Sequence, residues 1–335
     1  MKIEAINCHS CGATLKVFSS VCTCEYCGVT NIICGETGNY IKALNRANRL
    51  RQQCEFDRAF EIYEDILEIN PPFADILWSE TLCDYGIEYV EDPLTGKYLP
   101  TLHRIKDESI LESPYFLKAL ELCDEKQRAE LTACAEQIYN IQEEYLNIAV
   151  NEKPYDVFIC YKETDYGKQT YDSKVGMKLY DQLSAMGYKV FFSRITLNEK
   201  LGIEFEPYIF AALKSSIVMV VIGTKPEYFE ATWVKNEWSR FLRLKEKDPV
   251  KQIFFACDDI GDLPKAFARK QAQILEDDSS ITNLAGNIHN YLKLLGKVSR
   301  GTTQTQGGKN KVKCPHCGKM QERNRYGCIY CHRTF

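Results

Sequence analysis

Between Tyr155 and about residue 296 the chain repeats one pattern that leaves few folds open: a short, almost wholly apolar run followed by an amphipathic stretch. The runs are "YDVFICY", "YKVFFS", "IVMVVIG" and "KQIFFAC". A strand with one face in water alternates apolar and polar residues, whereas a run that is apolar at nearly every position must be covered on both sides. With helical patterns between the runs, the expectation is a parallel sheet layered by helices, with ligands gathering at the carboxyl ends of its strands. "YDSKVGMKLYDQLSAMG" fits as one such helix, with Val175, Leu179, Leu183 and Met186 on one side. The longest apolar run, Ile217 to Gly223, is far too short to span a bilayer, which takes about 20 residues. The opening "MKIEAINCHS" has no apolar signal segment. The expected setting is therefore the cytoplasm, without membrane contact.

With 335 residues the chain is long enough for more than one core. A content of 45% apolar and 26% charged residues, with a formal charge of −4, argues against wholesale disorder and against a general nucleic-acid-binding surface. The expected architecture is multidomain. Residues 1–38 and 314–335 read as small zinc ribbons, 39–150 as an all-α region resembling tetratricopeptide repeats, 151–296 as the α/β domain and 297–313 as a basic flexible linker.

The ribbons rest on cysteine spacing. Eight of the sixteen cysteines form four C-x-x-C pairs, two near each end. Cys8 and Cys11 are followed by Cys24 and Cys27, with twelve residues between the pairs; Cys314 and Cys317 are followed by Cys328 and Cys331, with ten between them. Two thiolates two residues apart can reach one ion, a glycine after the pair lets the knuckle turn, and two knuckles complete a tetrahedron. Four sulfur ligands leave no open position, so two structural Zn2+ ions are expected rather than catalytic ones. Cys22 could compete with Cys24 for one ligand place, although Cys24 keeps the proper spacing to Cys27, and the neighbouring His9, His316 and His332 read as bystanders. Residues 297–335 carry a formal +8, leaving −12 on the rest of the chain. That basic tail could contact a polyanion or dock on its own acidic neighbours.

From Tyr40 to about Ile148 the periodicity is helical. "ALNRANRLRQQCEFDRAFEIYEDILEINPP" places Ala47 and Ala59 where paired helices approach, then Phe60, Tyr63, Ile66 and Leu67 on one stripe and Pro71 as a stop, in the order of one tetratricopeptide unit. "ADILWSETLCDYGIEYV" reads as the first helix of a second unit, "EDPLTGKYLP" as a connecting loop and Asp124 to Val150 as a long last helix, about five helices in all. Such a region offers a surface for a protein partner; the alternative is a spacer that only presents the ends.

In the α/β region the ordered set "DVFICYKETD", the loop ending at Gly202, "AALKSSIVMVVIG" and "WVKNEW" resembles a TIR domain, over about Lys153 to Gly296. The resemblance implies a flavodoxin-like fold with a five-stranded parallel sheet and self-association through TIR contacts. It also implies one of two activities: adaptor function, or cleavage of the nicotinamide–ribose bond of NAD+. Enzymes of the family carry a tryptophan followed four residues later by an essential glutamate, and Trp233 and Glu237 match that pair. Glu237 is thus the expected catalytic residue. Trp233, Tyr161, Lys162 and Gly202 are the expected substrate-side positions, Gly202 closing a loop that gates the site. Two departures weaken the match at the phosphate end: Ser193 stands where many relatives carry Asp, and Glu163 where a second basic residue is usual. Phe205 and Cys160 read as core, and Thr232 as a candidate N-cap for the helix that carries Glu237.

Overall fold

The computed structural model describes every residue except 1–5, 18–20, 34–39, 70–71, 94, 199–203, 268–269, 297–310, 315–319 and 323–335. The chain divides into two compact units, Met1–Leu146 and Asn147–Phe335.

The first unit opens with a two-stranded antiparallel ribbon, β1 (Val21–Thr23) and β2 (Thr30–Ile32). Helices α1 (Ile41–Gln52), α2 (Phe56–Ile69) and α3 (Ala74–Asp84) follow. Ala47 and Ala59, both fully buried, let α1 and α2 approach closely, and Tyr63 and Ile66 fill the seam as the apolar stripe requires. Arg51, at 1% exposure, ties α1 to its surroundings by donating to the carbonyl oxygens of His9 and Ile87.

Here the all-α expectation is corrected. After α3 the chain forms a hairpin of β3 (Ile87–Glu91) and β4 (Tyr98–Leu102), paired antiparallel from Ile87 opposite Leu102 to Glu91 opposite Tyr98. Ile87–Glu91 is therefore strand rather than the end of a helix, and the chain returns antiparallel from Tyr98. Gly86 makes the break. Its φ of +60° suits a residue without Cβ, and a Cβ there would meet Cγ of Arg104 at 2.8 Å. The unit continues with α4 (Pro114–Leu122) and α5 (Glu125–Asn151), the latter within a residue of the span expected for the long last helix. The five helices expected between residues 39 and 150 are thus found among the described residues, with a hairpin inserted.

The second unit is built on β5 (Val157–Cys160), a minor hairpin of β6 (Thr164–Asp165) and β7 (Lys168–Gln169), α6 (Tyr171–Ala185), β8 (Val190–Phe192), the single turn α7 (Ser193–Thr196) and α8 (Glu206–Ser215). Next come β9 (Val218–Ile222), the short α9 (Pro226–Phe229), α10 (Thr232–Lys247), β10 (Gln252–Cys257), β11 (Gln273–Ile274) and α11 (Asp278–Leu294). A hairpin of β12 (Lys311–Lys313) and β13 (Met320–Glu322) closes the described chain. Five strands form one parallel sheet in the order β11-β10-β9-β5-β8. Renumbered within the domain this is 2-1-3-4-5, the flavodoxin-like order, whose topological switch lies between β5 and β9.

Strand alternation sorts the core into two layers. Val157, Ile159, Val190, Phe192, Val218 and Val220 face one side, packed with Val175, Leu179 and Leu183 of α6 and Leu284 and Ile288 of α11. Phe158, Cys160, Phe191, Met219 and Val221 face the other, packed with Ala212 and Leu213 of α8 and Val234, Trp238 and Phe241 of α10. This parity decides which side chains meet at the carboxyl edge of the sheet. No helix among the described residues is long and apolar enough to cross a membrane.

Candidate active site and candidate metal centre

Glu237 lies on α10, the helix laid over the layer that contains Cys160. The helix starts at Thr232, and the non-helical residue before it is Ala231 (φ −58°, ψ 134°), whose carbonyl accepts from Lys235 N–H at 2.8 Å. The cap position expected at Thr232 thus falls one residue earlier, on an alanine with no side chain to offer. Inside the helix, Trp238 donates its indole N–H to the Phe229 carbonyl (2.9 Å) and meets Phe267 edge-on, which fixes the rotation of α10 about its axis. Rotation being fixed, Glu237 is half-buried and stands beside Cys160, the last residue of β5, whose thiol pulls its carboxyl down. The thiol itself donates to the Val234 carbonyl oxygen at 3.5 Å.

Burial pushes the Glu237 carboxyl up to about 7; the Cys160 thiol and the Arg240 charge pull it down, and Glu206 pushes it up. Arg240 is itself paired with Glu206 at 2.7 Å, both side chains about nine-tenths buried. A carboxyl poised near neutrality at the end of β5 is the kind of group that acid–base and electrostatic catalysis uses.

The other expected positions fall elsewhere. Trp233, one turn before Glu237, is 53% exposed, so the tryptophan that packs in the core is Trp238. Tyr161 follows Cys160 but belongs to the opposite layer: its ring stacks on Phe192 at 4.7 Å, and its hydroxyl donates to Glu163 and lies 3.1 Å from Ser193 Oγ. Lys162 pairs with Asp165 at 3.7 Å and stands over the Tyr228 ring. Gly202 lies outside the described residues. Phe205 is 44% exposed at the start of α8, which corrects its reading as core.

Two features escaped the sequence. Asp172, the second residue of α6, is fully buried at the switch point between β5 and β9. Its Oδ1 accepts from Thr224 N–H (3.0 Å) and Thr224 Oγ–H (2.6 Å), its Oδ2 has no hydrogen-bond partner among the described residues, and burial pushes the carboxyl up to about 6. Arg194 reaches Glu163 at 3.3 Å, so a guanidinium stands beside the acidic residue that occupies the family's basic position. An Asp opening a helix is an ordinary first-turn residue and carried no signal. Arg194 sits two residues past β8, with nothing in its neighbours to mark it.

In the first unit Cys8, Cys11, Cys24 and Cys27 gather with their sulfurs within 4.8 Å of one another. The cross pairs Cys8–Cys27 and Cys11–Cys24 are both 3.6 Å apart, close to the ~3.8 Å edge of a tetrahedron with Zn–S bonds of about 2.3 Å. Each knuckle closes on a glycine with positive φ, Gly12 (+77°) donating to Cys8 O and Gly28 (+73°) to Cys24 O. Ser10 N–H and the Asn31 amide point at Cys8 Sγ (3.4 and 3.5 Å), donors that suit a thiolate. The residues fit a structural zinc ion. Cys22 stands apart, its thiol 3.5 Å from Lys16 O. His9 is buried between Arg51 and the Thr30 carbonyl and is lowered to about 3, first by burial and then by the Arg51 charge, so it stays neutral. Of the second set, Cys314 is described and buried, while Cys317, Cys328 and Cys331 lie outside the described residues.

Comparison with protein families agrees with this fold: residues 157–283 match the family model for a TIR domain, and the chain therefore contains a TIR domain. Comparison with curated proteins yields no match.

Proposed function

We propose that the TIR domain is an NAD+ glycohydrolase in which Glu237 is the catalytic carboxylate. The observation that carries the reading is the half-buried Glu237 carboxyl, placed beside Cys160 at the end of β5 and raised to about 7. Nicotinamide leaves as a neutral molecule from a cationic substrate, so little general-acid help is needed. What needs stabilising is the positive charge that grows on the ribose as the bond lengthens. An ionised Glu237 supplies that stabilisation directly, or by accepting hydrogen bonds from ribose hydroxyls. Water then attacks to give linear ADP-ribose, or the adenine of the same molecule attacks to give a cyclic isomer.

Lys162 and Arg194, near the ends of β5 and β8, are the cations best placed among the described residues to meet the diphosphate. Both already pair with acidic neighbours, which a phosphate would have to displace. TIR domains commonly self-associate, and an indole as exposed as Trp233 suits a site completed by a neighbouring copy. In this reading activity rises with local concentration, and the first unit and the basic tail bring protomers together in signalling or defence.

The test is nicotinamide release from NAD+ by the full chain, concentrated or immobilised, compared with Glu237→Ala. A rate in the wild type that falls about 100-fold or more in the variant supports the enzyme. Equal rates at high local concentration overturn it. The second reading, a non-enzymatic scaffold acting through TIR contacts, is favoured by the exposure of Trp233. It expects Trp233→Ala to weaken self-association in a chain that turns over no NAD+.

A further inference from the structure

Apart from the four-cysteine cluster, the first unit brings together a second set of metal-ligating side chains of mixed chemistry. Cys54 follows α1 with φ at +59°, a left-handed conformation that an L residue other than glycine or asparagine adopts at a cost of about 1 kcal/mol. Its N–H donates to Arg51 O (2.9 Å), and Glu55 N–H to Leu50 O (2.9 Å), so the helix end is closed by a motif that normally selects glycine. Glu88 lies on β3 opposite Thr101 of β4, and His103, two residues beyond Thr101, shares its face. His103 N–H donates to Gly86 O (2.9 Å), and its ring stacks on Phe56 at 6.1 Å, so both backbone and ring plane are fixed.

These elements converge on a point. Cys54 Sγ is 3.3 Å from Glu88 Oε2, His103 Nε2 is 3.0 Å from the same oxygen, and the three ligand atoms lie within 4.8 Å of one another. A tetrahedral zinc with bonds of about 2.3 Å to sulfur and 2.0 Å to nitrogen and oxygen holds such atoms about 3.3–3.5 Å apart. The two contacts to Glu88 Oε2 therefore differ from that spacing by only a few tenths of an ångström, and Cys54 Sγ and His103 Nε2 lie within 4.8 Å of each other. Cys54 is buried, while the His103 and Glu88 side chains keep 20% and 27% of their surface, so the cluster is reached from solvent on one side.

We propose that Cys54, Glu88 and His103 form a second metal site for a zinc-class divalent cation, with water completing the coordination. Thiolate with imidazole selects zinc and its transition-metal neighbours over calcium or magnesium. Three protein ligands leave an open position, unlike the four-sulfur ribbon. Thiolate and carboxylate together carry the two negative charges that a dication needs. Without a metal, burial and the Glu88 charge push the Cys54 thiol up, and the Arg51 and Arg104 charges oppose this only in part; Arg104 is already held by Asp57 in a two-point pair at 2.8 and 2.9 Å. On binding, the metal–sulfur bond replaces the Cys54 S–H bond and the proton goes to solvent. The proton on His103 Nε2 moves to Nδ1, freeing the Nε2 lone pair for the metal.

The experiment uses the full chain, stripped of metal and titrated with Co2+ while the d–d absorption is followed, with Zn2+ per chain counted at saturation. Wild type is compared with Glu88→Gln, whose amide oxygen still accepts from the thiol and the imidazole but lacks the charge. The double variant Cys54→Ser, His103→Ala and the ribbon variant Cys8→Ser complete the set. The expected result is one Zn2+ per chain fewer in the double variant. Glu88→Gln should weaken one cobalt phase at least 100-fold, and that phase should persist in Cys8→Ser. Titrations of wild type and Glu88→Gln that superimpose, with equal zinc counts in the double variant, would overturn the proposal and leave Cys54, Glu88 and His103 a hydrogen-bonded cluster only.

Discussion

The Cys160 thiol stands beside the Glu237 carboxyl, across the interface between β5 and the helix that covers it. The thiol favours the ionised carboxylate and works against the burial that holds it neutral. Cys160→Ala removes the thiol, so Glu237 should titrate higher. If the chain cleaves NAD+ as proposed, the rising limb of the pH–rate profile for nicotinamide release should move up with it, at a stability cost of about 1 kcal/mol for the small cavity. An unmoved limb in a folded variant would mean that the thiol does not tune the carboxyl.

The Glu206–Arg240 pair offers the opposite handle. Arg240 pulls Glu237 down and Glu206 pushes it up. Glu206→Gln should therefore lower the Glu237 titration, whereas Arg240→Leu should raise it and cost about 3 kcal/mol by leaving Glu206 buried without its partner. Site-specific carbon NMR of labelled glutamate reads both shifts without relying on turnover. Shifts of the same sign in the two variants would contradict the arrangement.

Stability should carry the same signature. The Glu237 carboxyl titrates near 4.5 when unfolded and at about 7 when folded, so the native state holds that proton more tightly. The penalty is absent below about pH 4.5, grows as pH rises towards 7 and is full above it. Glu237→Gln should accordingly be more stable than wild type at pH 8, by an amount on the order of 1–3 kcal/mol, and gain nothing at pH 4.5. Asp172, raised to about 6, is present in both chains and cancels in the difference. Denaturant unfolding at the two pH values tests this, and a gain independent of pH would show the carboxyl to be well solvated.

For the ribbon, Asn31 is the residue to change. Its amide donates to Cys8 Sγ and to Val29 O, and its oxygen accepts from His9 N–H, so one side chain ties a sulfur of the four-cysteine cluster to both knuckles. Asn31→Ala should weaken zinc binding about 10- to 100-fold with all four cysteines intact, as read by competition with a chromogenic chelator. An unchanged affinity would mean that the sulfur does not depend on that donor.

The apolar runs were enough to place β5, β8, β9 and β10, because a strand buried on both faces has no polar positions to disguise it. The hairpin at Ile87–Leu102 was harder. "ADILWSETLCDYGIEYV" continues a helical stripe through Cys83, and only Gly86 and the β-branched residues after it mark the change. Glu237 stood out by its spacing from Trp233, yet the tryptophan that positions its helix is Trp238, and no local pattern tells a buried indole from an exposed one at neighbouring turns. The meeting of Glu237 with Cys160, and that of Cys54 with Glu88 and His103, depends on contacts between residues far apart in the chain, which spacing does not encode.

Because side chains alternate along β5, Cys160 and Tyr161 are adjacent in the chain yet open onto separate compartments. Adding or removing one residue between Val157 and Cys160 would exchange their contents, turning the thiol towards α6 and leaving Glu237 opposite a side chain meant for the other layer. An insertion that keeps both layers intact therefore has to fall beyond Tyr161, where the β6–β7 excursion can take up slack without resetting the strand's parity.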